Sequence, residues 1–177
     1  PIVRRIVHTS ADYDFVMNTL ISEGSVSSAI EAIRSGCGIY CDTNMVLSGV
    51  NKPRLAEFGC SISCHVADSD VAEQAKAEGV TRSIIALRKG VADGCRIFLI
   101  GNAPTALYEL LQLSREGKVS PALVVGVPVG FVGASESKEA LVATGMPQIT
   151  CRGRKGGSTI AAAICNALLI MAKKEKV

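Results

Sequence analysis

Two short apolar segments, each ended by a loop of small and turn-forming residues, place the strongest constraint on this fold. The segments are Ile97–Ile100 and Ala122–Val127, and the loops after them are Gly101–Pro104 and Val127–Gly130. Continuous runs of branched apolar residues are typical of strands buried on both faces of a parallel sheet. A helical pattern resumes after each loop, so the two units predict a parallel α/β sheet with its loops on one edge. Ligands bind at that edge in such sheets, and we expect the functional site there.

Three further segments extend this sheet to about five parallel strands. The predicted strands are Gly38–Asp42, Cys60–Val66, Arg96–Ile100, Ala122–Val127 and Gln148–Cys151. The alternation with helices predicts a single domain over residues 1–177. Its fold class is α/β, a three-layer doubly wound sheet with the flavodoxin-like strand order 2-1-3-4-5. We also expect Ile2–Val7 to be extended, and helices over Phe15–Ile21 and Thr159–Ala172.

The composition fits an aliphatic core of this kind. Hydrophobic residues make up 48% of the chain, aromatic residues only 4%, and tryptophan is absent. Such a chain builds its core from valine, isoleucine, leucine and alanine, as a parallel sheet between helices requires. The high apolar fraction also allows a buried subunit interface, because obligate dimers cover apolar surface when they assemble.

Charge and segment length argue against two classes of partner. The net charge of +3 is small, and no basic stripe is interleaved with aromatic side chains, so we expect no nucleic-acid binding. No signal peptide opens the chain, and the apolar run Thr159–Ala172 is too short to span a bilayer. We therefore expect a soluble, cytoplasmic protein with no membrane contact.

Seven cysteines stand at positions 37, 41, 60, 64, 95, 151 and 165. Their odd number and apolar surroundings argue against a disulfide framework. Cys60, Cys64 and His65 have a spacing near that of a zinc site, but no second pair of ligands completes one. We expect small buried side chains in a reducing compartment, and no bound metal.

The predicted topology brings polar residues to the carboxyl ends of the strands. These are Asp42, His65, Asn102, the segment Val127–Gly130 and Arg152, joined by His8 if the first segment reaches the same edge. Structural alternatives remain open. Asp42 is equally suited to cap the helix that follows it, and Asn102 to adopt a left-handed backbone conformation.

The segment from Arg152 to Gly157 is a more specific indication of a binding site. It places Arg152, Arg154 and Lys155 with glycines at the start of a helix, an arrangement that suits a phosphate or a carboxylate. The glycines are also compatible with a simple turn. The run does not match a Walker motif, and no G-x-G-x-x-G follows a strand, so a nucleotide-binding regulator has weak support.

Only two histidines are present. A lone histidine is usually structural. His8, however, follows an apolar segment and precedes the polar residues Thr9 and Asp12, which favours a catalytic role. His65, close to Asp68, is expected to be a structural or surface histidine. The chain has no G-x-S-x-G motif, no credible Ser/His/Asp triad and no obvious carboxylate pair, which argues against hydrolysis.

Six segments, in chain order from Arg4 to Leu169, carry a close resemblance to a known family. They read RRIVHTSADYDF, IYCDTNMVLSGV, TRSIIAL, IGNAPTAL, PALVVGVPVGFVGASESKEAL and GRKGGSTIAAAICNALL. Together they resemble the precorrin-8X methylmutase family of cobalamin biosynthesis. The signatures GNAPTAL and GVPVGFVGA are long and specific.

The resemblance implies an isomerase that moves a methyl group from C11 to C12 of the corrin macrocycle. Precorrin-8X would give hydrogenobyrinate, and cobalt-precorrin-8 would give cobyrinate. The family implies a flavodoxin-like homodimer with substrate between its subunits, and a shift of this kind needs no cofactor or metal. The catalytic histidine of the family's R-V-I-H-x-x-x-D motif falls on His8, which we expect to donate a proton to the macrocycle.

The implied substrate is a flat apolar ring with carboxylates around its rim. Such a ligand needs an aliphatic slot, with N–H groups and basic side chains at its perimeter. The implied substrate-binding residues are Thr9, Asp42, Arg82, Asn102, Ala103, Pro104, Thr105, Val127, Pro128, Val129, Gly130, Arg152, Arg154 and Lys155. Lys138 has two interpretations, a substrate contact or an ion pair with Glu136.

Two departures from the family pattern are visible. The family has a helical segment before the histidine motif, and here the motif stands near residue 1, so we expect earlier residues to be missing. His-Thr-Ser-Ala-Asp also replaces a commoner His-Ala-Thr-Gly-Asp-like string. A non-catalytic tetrapyrrole or corrin carrier is the alternative function, because it would use the same slot. The sequence leaves the presence of cobalt in the substrate open.

Overall fold

The computed structural model describes residues 1–173, and within that range the chain forms one six-stranded sheet. The strands are β1 (Thr19–Ile21), β2 (Gly38–Cys41), β3 (Ser61–Ser63), β4 (Ile97–Ile100), β5 (Leu123–Gly126) and β6 (Gln148–Cys151). Their order across the sheet is β1-β6-β5-β4-β2-β3. Strands β2 to β6 are parallel, and they follow the predicted order 2-1-3-4-5. The α/β fold class is confirmed.

Helices cover both faces of the sheet. They are α1 (Ile2–Ser10), α2 (Asp14–Asn18), α3 (Ser25–Arg34), α4 (Asn44–Gly49), α5 (Lys52–Glu57), α6 (Ser69–Glu78), α7 (Arg82–Ala92), α8 (Pro104–Arg115), α9 (Ala134–Ala143) and α10 (Ser158–Lys173). Alternate residues of β4 point to opposite faces. Ile97 and Leu99 join the core with α1, α3 and α10, whereas Phe98 and Ile100 join the core with α8 and α9.

The N-terminal segment differs from the expectation. Ile2–Val7 was expected to be extended, and this prediction is wrong, because the segment lies within helix α1. Ile2 and Ile6 are both buried, and a spacing of four residues places them on the same face of a helix. That face packs against α10, so tertiary contact outweighs the strand preference of branched residues.

The predicted helix Phe15–Ile21 is also too long. Helix α2 ends at Asn18, and the next three residues form the edge strand β1. Strand β1 runs antiparallel to β6, with Leu20 opposite Thr150. This pairing joins segments far apart in sequence, which local periodicity does not report. The expected strand over Cys60–Val66 is likewise reduced to Ser61–Ser63.

The predicted C-terminal helix is confirmed as α10, which packs against both α1 and α3. Most of its side chains are buried, as in a helix enclosed by protein on several sides. No helix within residues 1–173 is long and apolar enough to cross a membrane.

Candidate functional site

The carboxylate of Asp42 supports the loop that follows β4. One oxygen accepts a hydrogen bond from Gly101 N at 3.0 Å, and the other accepts from Asn102 N at 2.7 Å and Ala103 N at 2.8 Å. The side chain is only 1% exposed. Burial raises the pKa of Asp42, and the three N–H donors oppose that rise. Asp42 therefore sits beneath the loop and fixes its backbone.

The alternative role of Asp42 as a helix cap is wrong. Helix α4 is capped by Thr43, whose hydroxyl accepts a hydrogen bond from Val46 N at 3.2 Å. The same hydroxyl lies 2.9 Å from Ser158 Oγ at the start of α10. Adjacent residues at the end of β2 thus hold two different elements, the loop after β4 and the first turn of α10.

The loop 101–105 lies against the start of α7. Thr81 Oγ1 donates a hydrogen bond to Thr105 Oγ1 at 3.2 Å, which ties the two helix starts together. Arg82 is exposed at the first position of α7, and Asn102 and Thr105 are exposed beside it. Ala103 and Pro104 are less accessible and lead into α8. The structure thus gathers the sequence-predicted residues 82 and 102–105.

The loop after β5 packs against the loop after β6. Gly157 N donates to Val127 O at 2.8 Å, and Gly130 N donates to Arg154 O at 3.1 Å. Val127 and Pro128 are buried, and Val129 is exposed. Beyond them lie two highly exposed apolar side chains, Phe131 and Val132, at 85% and 89% exposure. This loop therefore presents apolar side chains at the carboxyl edge of the sheet.

Two glycines permit these close approaches. A Cβ at Gly156 would collide with the carbonyl oxygen of Val127. A Cβ at Gly101 would lie 2.7 Å from Ser158 Cα, closer than real Cβ atoms approach other heavy atoms. Neither glycine has an unusual φ, so glycine is required at both positions because a side chain would not fit. Its absence allows two backbone segments to pack directly against each other at the candidate site.

The three cations predicted to bind carboxylates have different surroundings. Arg152 and Arg154 are exposed, and the Arg154 guanidinium lies 5.6 Å from the centre of the Phe131 ring. The Lys155 ammonium lies 2.6 Å from an oxygen of Asp12 and 2.6 Å from an oxygen of Asp14. These carboxylates raise the pKa of Lys155. Lys155 thus joins the β6 loop to the turn between α1 and α2.

His8 is exposed in the last turn of α1. It borders an open groove of about 680 Å³ between α1 and α2, whose lining is mostly apolar. The lining residues are Val3, Arg4, Val7, His8, Ala11, Tyr13 and Val16. Thr9 borders a different depression, shared with Thr159 and Asn166.

The turn after His8 reaches the carboxyl edge of the sheet. Ser10 and Asp12 line a pocket of about 280 Å³ together with Val129, Lys155 and Gly156. Within the described part of the chain, His8 borders the groove and not this pocket. The structure brings the two surfaces side by side and does not merge them within one chain.

Lys138 is buried, with only 1% of its surface exposed. Its Nζ donates to Lys155 O at 2.8 Å and lies 3.7 Å from Cys151 Sγ. Burial lowers the pKa of Lys138. Of the two interpretations of Lys138, the ion pair with Glu136 is wrong, because Lys138 Nζ donates to Lys155 O and Glu136 is exposed. Lys138 lies on the same face of α9 as the buried Ala134 and Leu141, but lysine is rarely buried, so its residue type argued against this position.

The second histidine is structural, as predicted. His65 Nδ1 lies 3.0 Å from Asp68 Oδ2, and Nε2 lies 2.8 Å from Asp93 Oδ2. The seven cysteines are free thiols, and five of them are buried. Among residues 1–173, no three histidine, cysteine or acidic side chains are grouped so as to hold a metal ion.

Comparison with known proteins identifies a family. The family model described as precorrin-8X methylmutase matches residues 1–171. The cobalt-precorrin-8 methylmutase of Leptospira interrogans is 46% identical, over 98% of this chain and 83% of that protein. The protein of the same name from Priestia megaterium is 49% identical, over 97% of this chain and 77% of that protein. A crystal structure of precorrin-8X methylmutase from Thermus thermophilus superposes with a TM-score of 0.90 at 39% identity, covering 97% of this chain and 84% of that one.

Proposed function

Because this chain belongs to the precorrin-8X methylmutase family, we propose that it moves a methyl group from C11 to C12 of the corrin ring. As a methylmutase of cobalamin biosynthesis, it is an isomerase. The family match over residues 1–171 carries this proposal. The substrate is precorrin-8X or its cobalt form, and both relatives described above are named for the cobalt form.

His8 is the proposed proton donor. A methyl shift within one molecule adds and releases no atoms, so the chemistry needs a bound macrocycle and a group that biases its π-system. Histidine exchanges a proton readily near neutral pH. Its exposure beside an apolar groove of about 680 Å³ supports this role, because a flat macrocycle can reach the imidazole there.

The carboxyl edge of the sheet supplies the proposed contacts to the ring and its carboxylates. Val129 presents an apolar side chain, and Thr105 presents a hydroxyl at the start of α8. Arg82, Arg152 and Arg154 are exposed cations suited to carboxylates. The N–H groups of residues 102 and 103 already donate to Asp42, so they stabilise the loop rather than the ligand.

A homodimer completes the proposed site. Tyr13 in the groove and Met17 on α2 are 79% and 80% exposed, and Phe131 and Val132 at the sheet edge are exposed still further. Apolar groups of this size are normally covered by a partner or a ligand. A second subunit that covers them would bring its carboxyl-edge loops to the His8 groove. The free thiols support a cytoplasmic location.

A visible-light titration with hydrogenobyrinic acid tests the proposed site. We expect pigment to remain with the protein through gel filtration at a fixed ratio to protein.

Arg82→Ala is expected to weaken binding more than it slows the bound reaction; a pure rate defect with unchanged affinity would contradict the role of Arg82. A corrin carrier would bind the pigment but leave the spectrum of added precorrin-8X unchanged with time.

A further inference from the structure

Lys138 is a buried cation that the proposed chemistry does not use. It lies on α9 with 1% exposure, and within residues 1–173 no carboxylate pairs with it. Burial of an ammonium group is costly unless hydrogen bonds compensate. Its closest polar contact is the backbone oxygen of Lys155, at 2.8 Å. The ammonium group therefore donates mainly to this carbonyl, with a longer contact of 3.7 Å to Cys151 Sγ.

That carbonyl belongs to the loop between β6 and α10. Cys151 Sγ also donates to it, at 3.0 Å, so two buried side chains hold the same backbone oxygen. On one side of Lys155, Arg154 O accepts from Gly130 N. On the other side, Gly157 N donates to Val127 O. Holding the backbone of Lys155 in place therefore also holds the two neighbouring hydrogen bonds that support the loop after β5.

The side chain of Lys155 extends the connection to the His8 turn. Its ammonium contacts Asp12 and Asp14. Asp12 N donates to Ser10 Oγ at 3.2 Å, and Ser10 Oγ donates to Ile6 O at 2.9 Å, within the helix that carries His8. A continuous series of contacts therefore joins α9 to the last turn of α1.

We propose that Lys138 is a positioning residue for the methylmutase reaction. By holding the carbonyl of Lys155, it sets the loop from which the Lys155 side chain fixes the turn behind His8. The role of His8 in this statement rests on the proposed function, whereas the contacts from Lys138 to Asp12 do not.

The first test replaces Lys138 by methionine, an unbranched side chain that is one atom shorter and lacks the donor. Methionine removes the cost of burying an ammonium group, and Cys151 Sγ still donates to the carbonyl of Lys155, so we expect the unfolding midpoint to be kept or raised. Turnover of precorrin-8X is expected to fall by up to about 100-fold, mainly in kcat, because a displaced catalytic group loses its alignment. Lys118→Met, at an exposed lysine paired with Glu116, is the matched control and is expected to keep full turnover.

A double-mutant cycle separates positioning from general destabilisation. If Lys138 acts through Lys155, the loss in the double variant of Lys138→Met and Lys155→Met is smaller than the product of the single losses. For the double variant of Lys138→Met and Arg82→Ala, the loss of activity is expected to equal the product of the two single losses. A simple product in both cycles, or full turnover in Lys138→Met, would overturn the proposal.

Amide hydrogen exchange gives a readout that does not depend on turnover. Lys138→Met is expected to speed exchange at residues 12–16 and 152–157, while β4 and β5 keep wild-type protection. Lys155→Met changes a half-exposed side chain, leaves the core intact and is expected to speed exchange at residues 12–16 alone. Unchanged exchange at residues 12–16 in Lys138→Met would overturn the inference, whatever Lys155→Met shows. An inactive wild-type protein with the expected exchange pattern would instead count against the proposed function alone.

Discussion

The ammonium of Lys155 lies 2.6 Å from a carboxylate oxygen of Asp12, 143 residues earlier in the chain. Asp12 belongs to the turn that follows His8, and Lys155 belongs to the loop that follows β6. Exposed ion pairs add little to overall stability, so the significance of this pair is geometric. It ties the proposed proton donor's helix to the edge where the sheet presents its loops.

Replacement of His8 by glutamine tests the proposed proton donor. Turnover of precorrin-8X is expected to fall by about 100-fold or more, the range that general acid catalysis contributes. The fold should be unaffected, because His8 is exposed. His65→Gln is the matched control, since His65 lies between two aspartates away from the groove. Steady-state rates decide the matter: equal activity of the two variants would exclude His8 as the donor.

Replacement of Asp42 by asparagine tests the support beneath the loop 101–103. Asparagine keeps the volume but not the three charge-assisted hydrogen bonds, so we expect a loss of about 2–3 kcal/mol in the free energy of unfolding. Pigment binding should weaken as the loop moves. Asp70→Asn changes an exposed carboxylate and is expected to cost much less stability than Asp42→Asn. Urea denaturation of both variants measures the difference, and equal stabilities would refute the role of Asp42.

Replacement of Gly101 by alanine tests the close contact between β4 and α10. The new Cβ would meet Ser158 Cα, so we expect a loss of about 1–3 kcal/mol in the free energy of unfolding, together with reduced turnover. Gly117→Ala is the control, because Gly117 has a φ of +70° and nothing near its missing Cβ. It should lose about 1 kcal/mol through backbone strain and keep its turnover. Full turnover in Gly101→Ala would show that this contact does not shape the site.

Alkylation should single out Cys64 among the seven thiols. The neighbouring Cys41 thiol holds the pKa of Cys64 below its ordinary value, whereas burial raises the pKa of Cys60, which is also partly exposed. Because the thiolate is the nucleophile, Cys64 is expected to react first with iodoacetamide at neutral pH, and faster as pH rises through its pKa. Cys41→Ala should slow that reaction. Mass spectrometry of partly alkylated protein identifies the site, and faster labelling of Cys60 would contradict this prediction.

The parallel core of the fold was predictable, because five strands separated by helices leave few arrangements. Segments such as Ile97–Ile100 carry their signal locally, in branched apolar residues and the turn that follows. The N-terminal region was not predictable in the same way. Ile2 and Ile6 fit a helix as well as a strand, and contact with α10 decides between them. Strand β1 depends wholly on its distant partner β6.

The candidate site was likewise predictable only in part from the sequence. Sequence reasoning identified the loops at the sheet edge and the two arginines that remain exposed there, Arg152 and Arg154. It did not predict the Lys155–Asp12 pair or the burial of Lys138. Lysine in an amphipathic helix normally faces water, and only the three-dimensional position of the Lys155 carbonyl explains why Lys138 does not.

Conversion of precorrin-8X carrying a ¹³C label in its C11 methyl group tests the central claim most directly. Carbon NMR of the product would report where the methyl group resides after incubation with wild-type protein and with His8→Gln. We predict that wild-type protein transfers the label to C12 and releases hydrogenobyrinate, and that His8→Gln leaves most of the label at C11. Bound substrate that keeps its label at C11 with the wild-type protein would contradict the proposed methyl shift.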